Sequence, residues 1–163
     1  MSRVAIIVVD MLRGFLEEGY PLFCGEDSRR IIPAVQELLE RSPQAVVFYV
    51  CDNHTPDEPE FKMFPPHCLA GSVEAEVIPE LQKYRGRLIA KTRYSGFYNT
   101  DLGERLSALA PEKVVVVGVC TDICVMHTVA DLRNRDYLVE VPEDCVASFD
   151  PEAHAFALKH IEK

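Results

Sequence analysis

The chain has 163 residues, 48% of them hydrophobic and 26% charged, with a net charge of −9. This length fits one domain, 1–163, with a core large enough to need no disulfide staples. The acidic balance excludes nucleic acid or an anionic membrane as the main partner, because both reward clustered Lys and Arg; it leaves a small ligand open, since a local site can differ from the whole.

The first apolar run, Val4–Val9, ends at Asp10. It is too short for a secretory signal or a membrane span and reads as a strand buried on both faces. A cytoplasmic location is expected from it. Asp27–Arg41 is predicted helical, with Ile31, Ile32, Val35, Leu38 and Leu39 on one face and Pro33 marking the first turn. Ala45–Val50 is a second buried strand. Asp52–Val73 is a long irregular stretch containing Pro56, Pro59, Pro65 and Pro66. A loop of that length in a compact domain points to function, and its aromatics and histidines favour order.

Glu74–Tyr84 reads as a short helix interrupted by Pro79, and Arg87–Ala90 as a short strand. Asp101–Ala110 is a short helix with Asp101 as a first-turn or capping acid. Val114–Val119 is the most convincing strand. Thr121 or Asp122 is expected to cap a helix reaching about Asn134. Tyr137–Val141 is a fifth strand, and Pro151–Ile161 a final helix. Buried strands alternating with helices predict a three-layer α/β/α fold around a mainly parallel, doubly wound sheet of five or six strands. Ligands in such folds bind at the carboxyl ends of the strands. That rule singles out Asp10, Asp52 with His54, Lys91, and Cys120 to Cys124.

Six cysteines are present: Cys24, Cys51, Cys68, Cys120, Cys124 and Cys145. With no export signal, reduced thiols are expected, and no C-x-x-C pair points to a zinc ribbon or a redox motif. Cys124 falls in the first turn of a predicted helix. There the positive end of the macrodipole favours a thiolate, and free backbone N–H groups suit an oxyanion. Asp10 is a candidate proton acceptor and Lys91 a candidate counter-charge. A structural buried cysteine is the alternative. A Cys120–Cys124 disulfide fits the spacing but not the compartment. His127, three residues after Cys124, reads as a packed or exposed histidine. Asp52, His54 and His67 form a carboxylate–imidazole set suited to Zn²⁺, or to Fe²⁺ or Mn²⁺, with open positions for water or substrate. The alternative is a polar loop whose histidines cap backbone groups.

These segments resemble the isochorismatase-like cysteine hydrolases, and within them the nicotinamidases. The stretch AIIVVDMLRGFL is similar to the family's first strand, with its catalytic aspartate at Asp10. AKTRYSGFYNTDL is similar to the segment of the catalytic lysine, at Lys91. VVVVGVCTDICVMHTVADLRNRDY resembles the signature around the nucleophile, at Cys124. CDNHTPDEPEFKMFPPHCLAGS resembles the nicotinamidase metal loop, with Asp52, His54 and His67 at ligand positions. The resemblance implies a six-stranded sheet, a Cys-Asp-Lys triad, and a cis peptide between Val119 and Cys120. It also implies an oxyanion site from the N–H groups of Cys120 and Cys124, and a pocket lined by Phe15, Phe64 and Tyr98.

Four features depart from the family pattern. Asn53 stands where an aromatic is usual and Phe64 where tryptophan is usual. Asp57, Glu58 and Glu60 lie where some members place a further histidine ligand. The family's sixth strand commonly follows the last helix, where this sequence stops.

The implied activity is a metal-dependent amidohydrolase that forms a thioester, most directly a nicotinamidase in NAD salvage. Alternatives are hydrolysis of another small amide, a carbamoyl or ureido compound or an isochorismate-type vinyl ether, and a non-catalytic ligand-binding protein. Similar proteins commonly form homo-oligomers.

Overall fold

The computed structural model describes residues 3–163. Six strands form one parallel sheet: β1 (Val4–Val9), β2 (Val46–Asp52), β3 (Arg87–Lys91), β4 (Lys113–Val119), β5 (Val139–Glu140) and β6 (Val146–Ala147). Their order is β3-β2-β1-β4-β5, with β6 also on β4. β1 and β4 lie innermost, which is why their sequences are nearly continuous runs of Val, Ile and Ala.

Alternation along β1 and β4 separates two cores. Ile6, Val8, Val115, Val117 and Val119 face one side. Ala5, Ile7, Val9, Val114 and Val116 face the other. Helix α2 (Ile31–Arg41) covers the first side with Ile31, Ile32, Val35 and Leu39. Helices α3 (Leu102–Leu109) and α4 (Met126–Asn134) cover the second with Leu102, Leu106, Val129 and Leu132. A one-turn helix, α1 (Arg13–Leu16), follows β1, and α5 (Pro151–Glu162) closes the sequence with Asp150 as its cap. Among the described residues, no helix is long and apolar enough to cross a membrane.

Several expected elements take other forms. The helix over Asp27–Arg41 is a 3-10 turn, Glu26–Arg30, leading into α2. Pro33 sits in the first turn of α2, where its missing N–H is not needed. Glu74–Tyr84 is no α-helix but two short turns, Val73–Ala75 and Pro79–Leu81, the second opened by Pro79. The strand expected over Tyr137–Val141 keeps only Val139–Glu140. After Pro142 and a turn at Glu143–Cys145, the chain rejoins β4 as β6. The sixth strand therefore precedes the last helix. Asp101 accepts from Arg105 Nε at 2.8 Å instead of capping α3.

One glycine is required by the path of the chain. Gly118 has φ +120°, and a Cβ placed there would meet the Val9 carbonyl oxygen at 2.0 Å. Gly118→Ala is therefore expected to lower stability by at least about 3 kcal/mol, through backbone strain plus overlap with a neighbouring strand. Urea unfolding of the purified variant measures this. A loss below about 1 kcal/mol would mean that β1 and β4 can separate here without cost.

Candidate active site

The carboxyl ends of β1, β2, β3 and β4 deliver four reactive segments to one place. Asp10 follows β1 with φ +50°, its N–H bonded to the Val50 carbonyl. Asp52 ends β2, Lys91 ends β3, and the segment after β4 carries Cys120 and Cys124. The peptide between Val119 and Cys120 is cis.

Lys91 is the hub of the first cluster. Its ammonium donates to Asp52 Oδ1, to the Arg93 carbonyl at 2.9 Å and to Cys124 Sγ at 3.3 Å. It also pairs with Asp10 Oδ2 at 3.0 Å. That contact is an ion pair without hydrogen-bond geometry, so Asp10 Oδ2 accepts no hydrogen bond. The other oxygen, Oδ1, accepts the Asp52 N–H at 2.8 Å. All of these side chains are buried.

Their electrostatics divide the roles. Burial, then the Asp52 carboxylate, raise Asp10 to about 6 against the pull of Lys91. Burial also works against the charge on Asp52, but the Lys91 ammonium, then the facing imidazoles of His54 and His67, outweigh it and hold Asp52 well below the usual carboxylate range. Burial opposes the Lys91 charge as well, yet Asp10, Asp52 and Cys124 keep it well above its ordinary value. Burial pushes the Cys124 thiol up; Lys91 draws it down, and the two carboxylates push it up again. The balance favours the thiol form, against the pull toward thiolate of a helix terminus. The reason is local structure. Cys124 lies in a π-turn, Thr121–Val125, ahead of α4, enclosed beside two carboxylates. Ionising it would take a base, and Asp10 presents a carboxylate oxygen, Oδ2, that accepts no hydrogen bond.

Neither expected cap is made at that turn. Thr121 Oγ1 bonds His154 Nδ1 at 2.7 Å, and Asp122 Oδ1 accepts from Ser148 at 2.6 Å. Both bonds anchor the turn to the segment that begins α5. His127 is exposed on α4, bonded to the Ile123 carbonyl, and takes no part in the cluster.

The loop after β2 builds a second cluster. It folds back on itself through His54 N–H to the Cys68 carbonyl and Ala70 N–H to the His54 carbonyl. His67, turned inward after Pro65 and Pro66, bonds the Pro65 carbonyl with Nδ1 at 2.8 Å. The Nε2 atoms of His54 and His67 face Asp52 Oδ2 at 3.4 and 3.6 Å, and Glu60 Oε2 at 3.5 and 3.2 Å. Phe61 packs edge-on to both imidazoles.

These four residues fit a metal ion. Their ligand atoms all lie within 4.8 Å of one another. A tetrahedral ion with bonds of about 2.0–2.2 Å separates its ligands by roughly 3.3–3.6 Å, which matches the spacings seen. His54 is fully buried and neither ring nitrogen has a hydrogen-bond partner, a costly state that a metal at Nε2 would relieve. Asp10, Asp52 and Cys124 also converge, but the Lys91 ammonium already occupies the place a cation would take. Sequence reasoning missed Glu60 as a member of the metal set. Its six-residue offset from His54 carried a signal only as a histidine-like position filled by an acid.

Both clusters open on one cavity of about 400 Å³, counting its open mouth. Phe15, Phe64, Tyr94 and Phe149 line it with Cys120 and Cys124. Tyr98, expected in that wall, is instead 51% exposed, with the Arg93 guanidinium 5.5 Å from its ring centre. Residues 92–100 run as successive bends and turns, so the side chains that face inward follow no strand alternation, and Tyr94 takes the wall position.

The family described as the isochorismatase domain matches residues 4–163. The "Uncharacterized isochorismatase family protein PncA" of Bacillus subtilis (strain 168) is 35% identical over 171 aligned residues, covering 97% of this chain and 93% of its own. A solved structure of nicotinamidase PncA from Bacillus subtilis superposes with a TM-score of 0.93 at 33% identity, over 100% of this chain and 96% of that one. The pyrazinamidase of Pyrococcus horikoshii in complex with zinc gives 0.90 at 30% identity, over 98% and 94%.

Proposed function

The chain belongs to the isochorismatase family, and within that family we propose that it is a metal-dependent nicotinamidase, a cytoplasmic enzyme hydrolysing nicotinamide to nicotinate and ammonia. One observation carries this reading: Asp52, Glu60 and His67 of the four-residue set and Asp10 and Cys124 of the Cys-Asp-Lys cluster line the same aromatic cavity. The cavity suits a flat, single-ring amide, with its ring between Phe15 and Phe64.

In the proposed reaction, Asp10 Oδ2 takes the Cys124 thiol proton as the sulfur attacks the amide carbon. The Lys91 ammonium balances the charge on Asp10 and the sulfur. Backbone N–H groups of Cys120 and Cys124 hold the oxyanion. Asp10 returns its proton to the departing nitrogen, so ammonia leaves and a thioester remains on Cys124. A water, deprotonated by Asp10, then attacks the thioester, and the acid leaves as the thiol is restored. Asp52, His54, Glu60 and His67 would hold the ion. When bound, a zinc ion, or iron or manganese in its place, supplies a Lewis acid that can anchor the pyridine nitrogen directly or through water.

Ammonia release from a panel of small amides, with and without a chelator, tests the reading. Nicotinamide turnover that is lost on chelation and restored by Zn²⁺ is expected. Absence of nicotinamide turnover by the zinc-loaded protein, with hydrolysis of a carbamoyl compound instead, would overturn the substrate assignment.

Glu60→Gln is expected to weaken Zn²⁺ binding by about 100-fold, since even outer partners of metal ligands cost 10–100-fold. Competition against a chromogenic chelator reads this directly. Unchanged zinc affinity would remove Glu60 from the ligand set.

A further inference from the structure

Cys24 and Cys120 face each other inside the protein with their sulfurs 3.5 Å apart. They come from positions 96 residues apart in the chain, and neither sulfur is used in the proposed hydrolysis. Both are buried, yet Cys120 also lines the cavity, so a small solute entering there comes to the residue that carries one of the two sulfurs. The backbone holds each partner in place. Cys24 donates its N–H to the Phe15 carbonyl at 2.8 Å, and its own carbonyl accepts from Ser28 Oγ at 2.8 Å. The Cys120 carbonyl accepts the N–H groups of Ile123 and Val125. A disulfide bond is about 2.05 Å long, so the sulfurs need to close by about 1.5 Å.

We propose that Cys24 and Cys120 form a reversible oxidation site, converted to a disulfide by a small peroxide that enters through the substrate cavity. The Cys120 sulfur, as thiolate, attacks one peroxide oxygen. The O–O bond breaks, hydroxide leaves and is protonated to water, and a sulfenic acid remains. The Cys24 sulfur then attacks the Cys120 sulfur, the S–O bond breaks, and a second water leaves with the Cys24 proton. In sum, two thiols and one hydrogen peroxide give one disulfide and two waters. The sulfurs lose two electrons and the peroxide oxygens gain them. Contact with Cys24, then burial, hold the Cys120 thiol well above its usual range, so the reaction passes through its small thiolate fraction. The bond would fasten the loop carrying Leu22, a cavity wall residue, to the end of β4. An effect on turnover rests on the proposed function; formation of the bond does not.

Hydrogen peroxide treatment of the full-length Cys124→Ser protein tests this without oxidising the proposed nucleophile. The six cysteines less Cys124 leave five thiols to titrate under denaturing conditions. After peroxide, three are expected, with a non-reducing digest giving one linked peptide pair that contains Cys24 and Cys120. Dithiothreitol should return the count to five. With Cys24→Ser added, no linked pair should form. Five unchanged thiols, a link between other cysteines, or sulfinic acid at Cys120 without a link would each overturn the proposal.

Discussion

Cys124→Ala should lower the turnover number for nicotinamide by about 10⁴- to 10⁶-fold, the range seen when a covalent nucleophile is removed. The size follows from the arrangement. Cys124 Sγ lies 3.3 Å from Lys91 Nζ and within 4.8 Å of an Asp10 carboxylate oxygen, and its loss would leave the proposed base with no thiol to deprotonate. The fold should survive, because the change removes a single buried sulfur, with a cost near 1 kcal/mol. Ammonia assays together with thermal unfolding separate the two effects. A second readout is direct: rapid acid quench of the wild type with substrate should trap an acyl group on Cys124. Turnover within tenfold of wild type would require another nucleophile and would dismantle the mechanism.

The second large effect is on Lys91. Lys91→Met should destabilise the protein by about 3–5 kcal/mol as well as abolish measurable turnover. Removing one partner of a buried ion cluster leaves the others uncompensated. Here the ammonium pairs with two carboxylates, Asp10 and Asp52, both almost fully enclosed. Its loss would leave Asp10 and Asp52 to repel each other. Urea unfolding measures the stability change. The double variant Asp10→Asn/Lys91→Met should recover part of it, since one buried charge is then gone. A loss below about 1 kcal/mol for Lys91→Met, or no recovery in the double variant, would mean that the carboxylates find other compensation.

The sheet was readable from the sequence because its inner strands are buried on both faces and therefore apolar almost throughout. Val4–Val9 and Val114–Val119 follow that pattern closely. The edge was less legible. Val139–Glu140 pairs over only two residues, and Pro142 then redirects the chain into β6, an event fixed by pairing with β4. The meeting of Asp10, Asp52, Lys91 and Cys124 followed from the strand-end rule, because each lies within a few residues of an apolar run. Glu60 and Tyr94 were not legible. Both project from irregular segments, where tertiary contacts set the direction of a side chain. The Cys24–Cys120 contact was hidden for another reason. A cysteine after Leu22 and Phe23 gives no sign of which distant sulfur it will meet.

Asp52 joins the two halves of the site through one side chain. Its Oδ1 receives Lys91, its Oδ2 faces both imidazoles, and its N–H holds Asp10. The loop after β2 is therefore not a detachable module. An engineer could replace His54, Glu60 and His67 to alter the proposed metal site and still keep the contacts of Lys91 with Asp10, Asp52 and Cys124. Replacing the residue at which that loop begins would disturb both centres at once. Residue 52 is thus the boundary at which the design freedom of this loop stops.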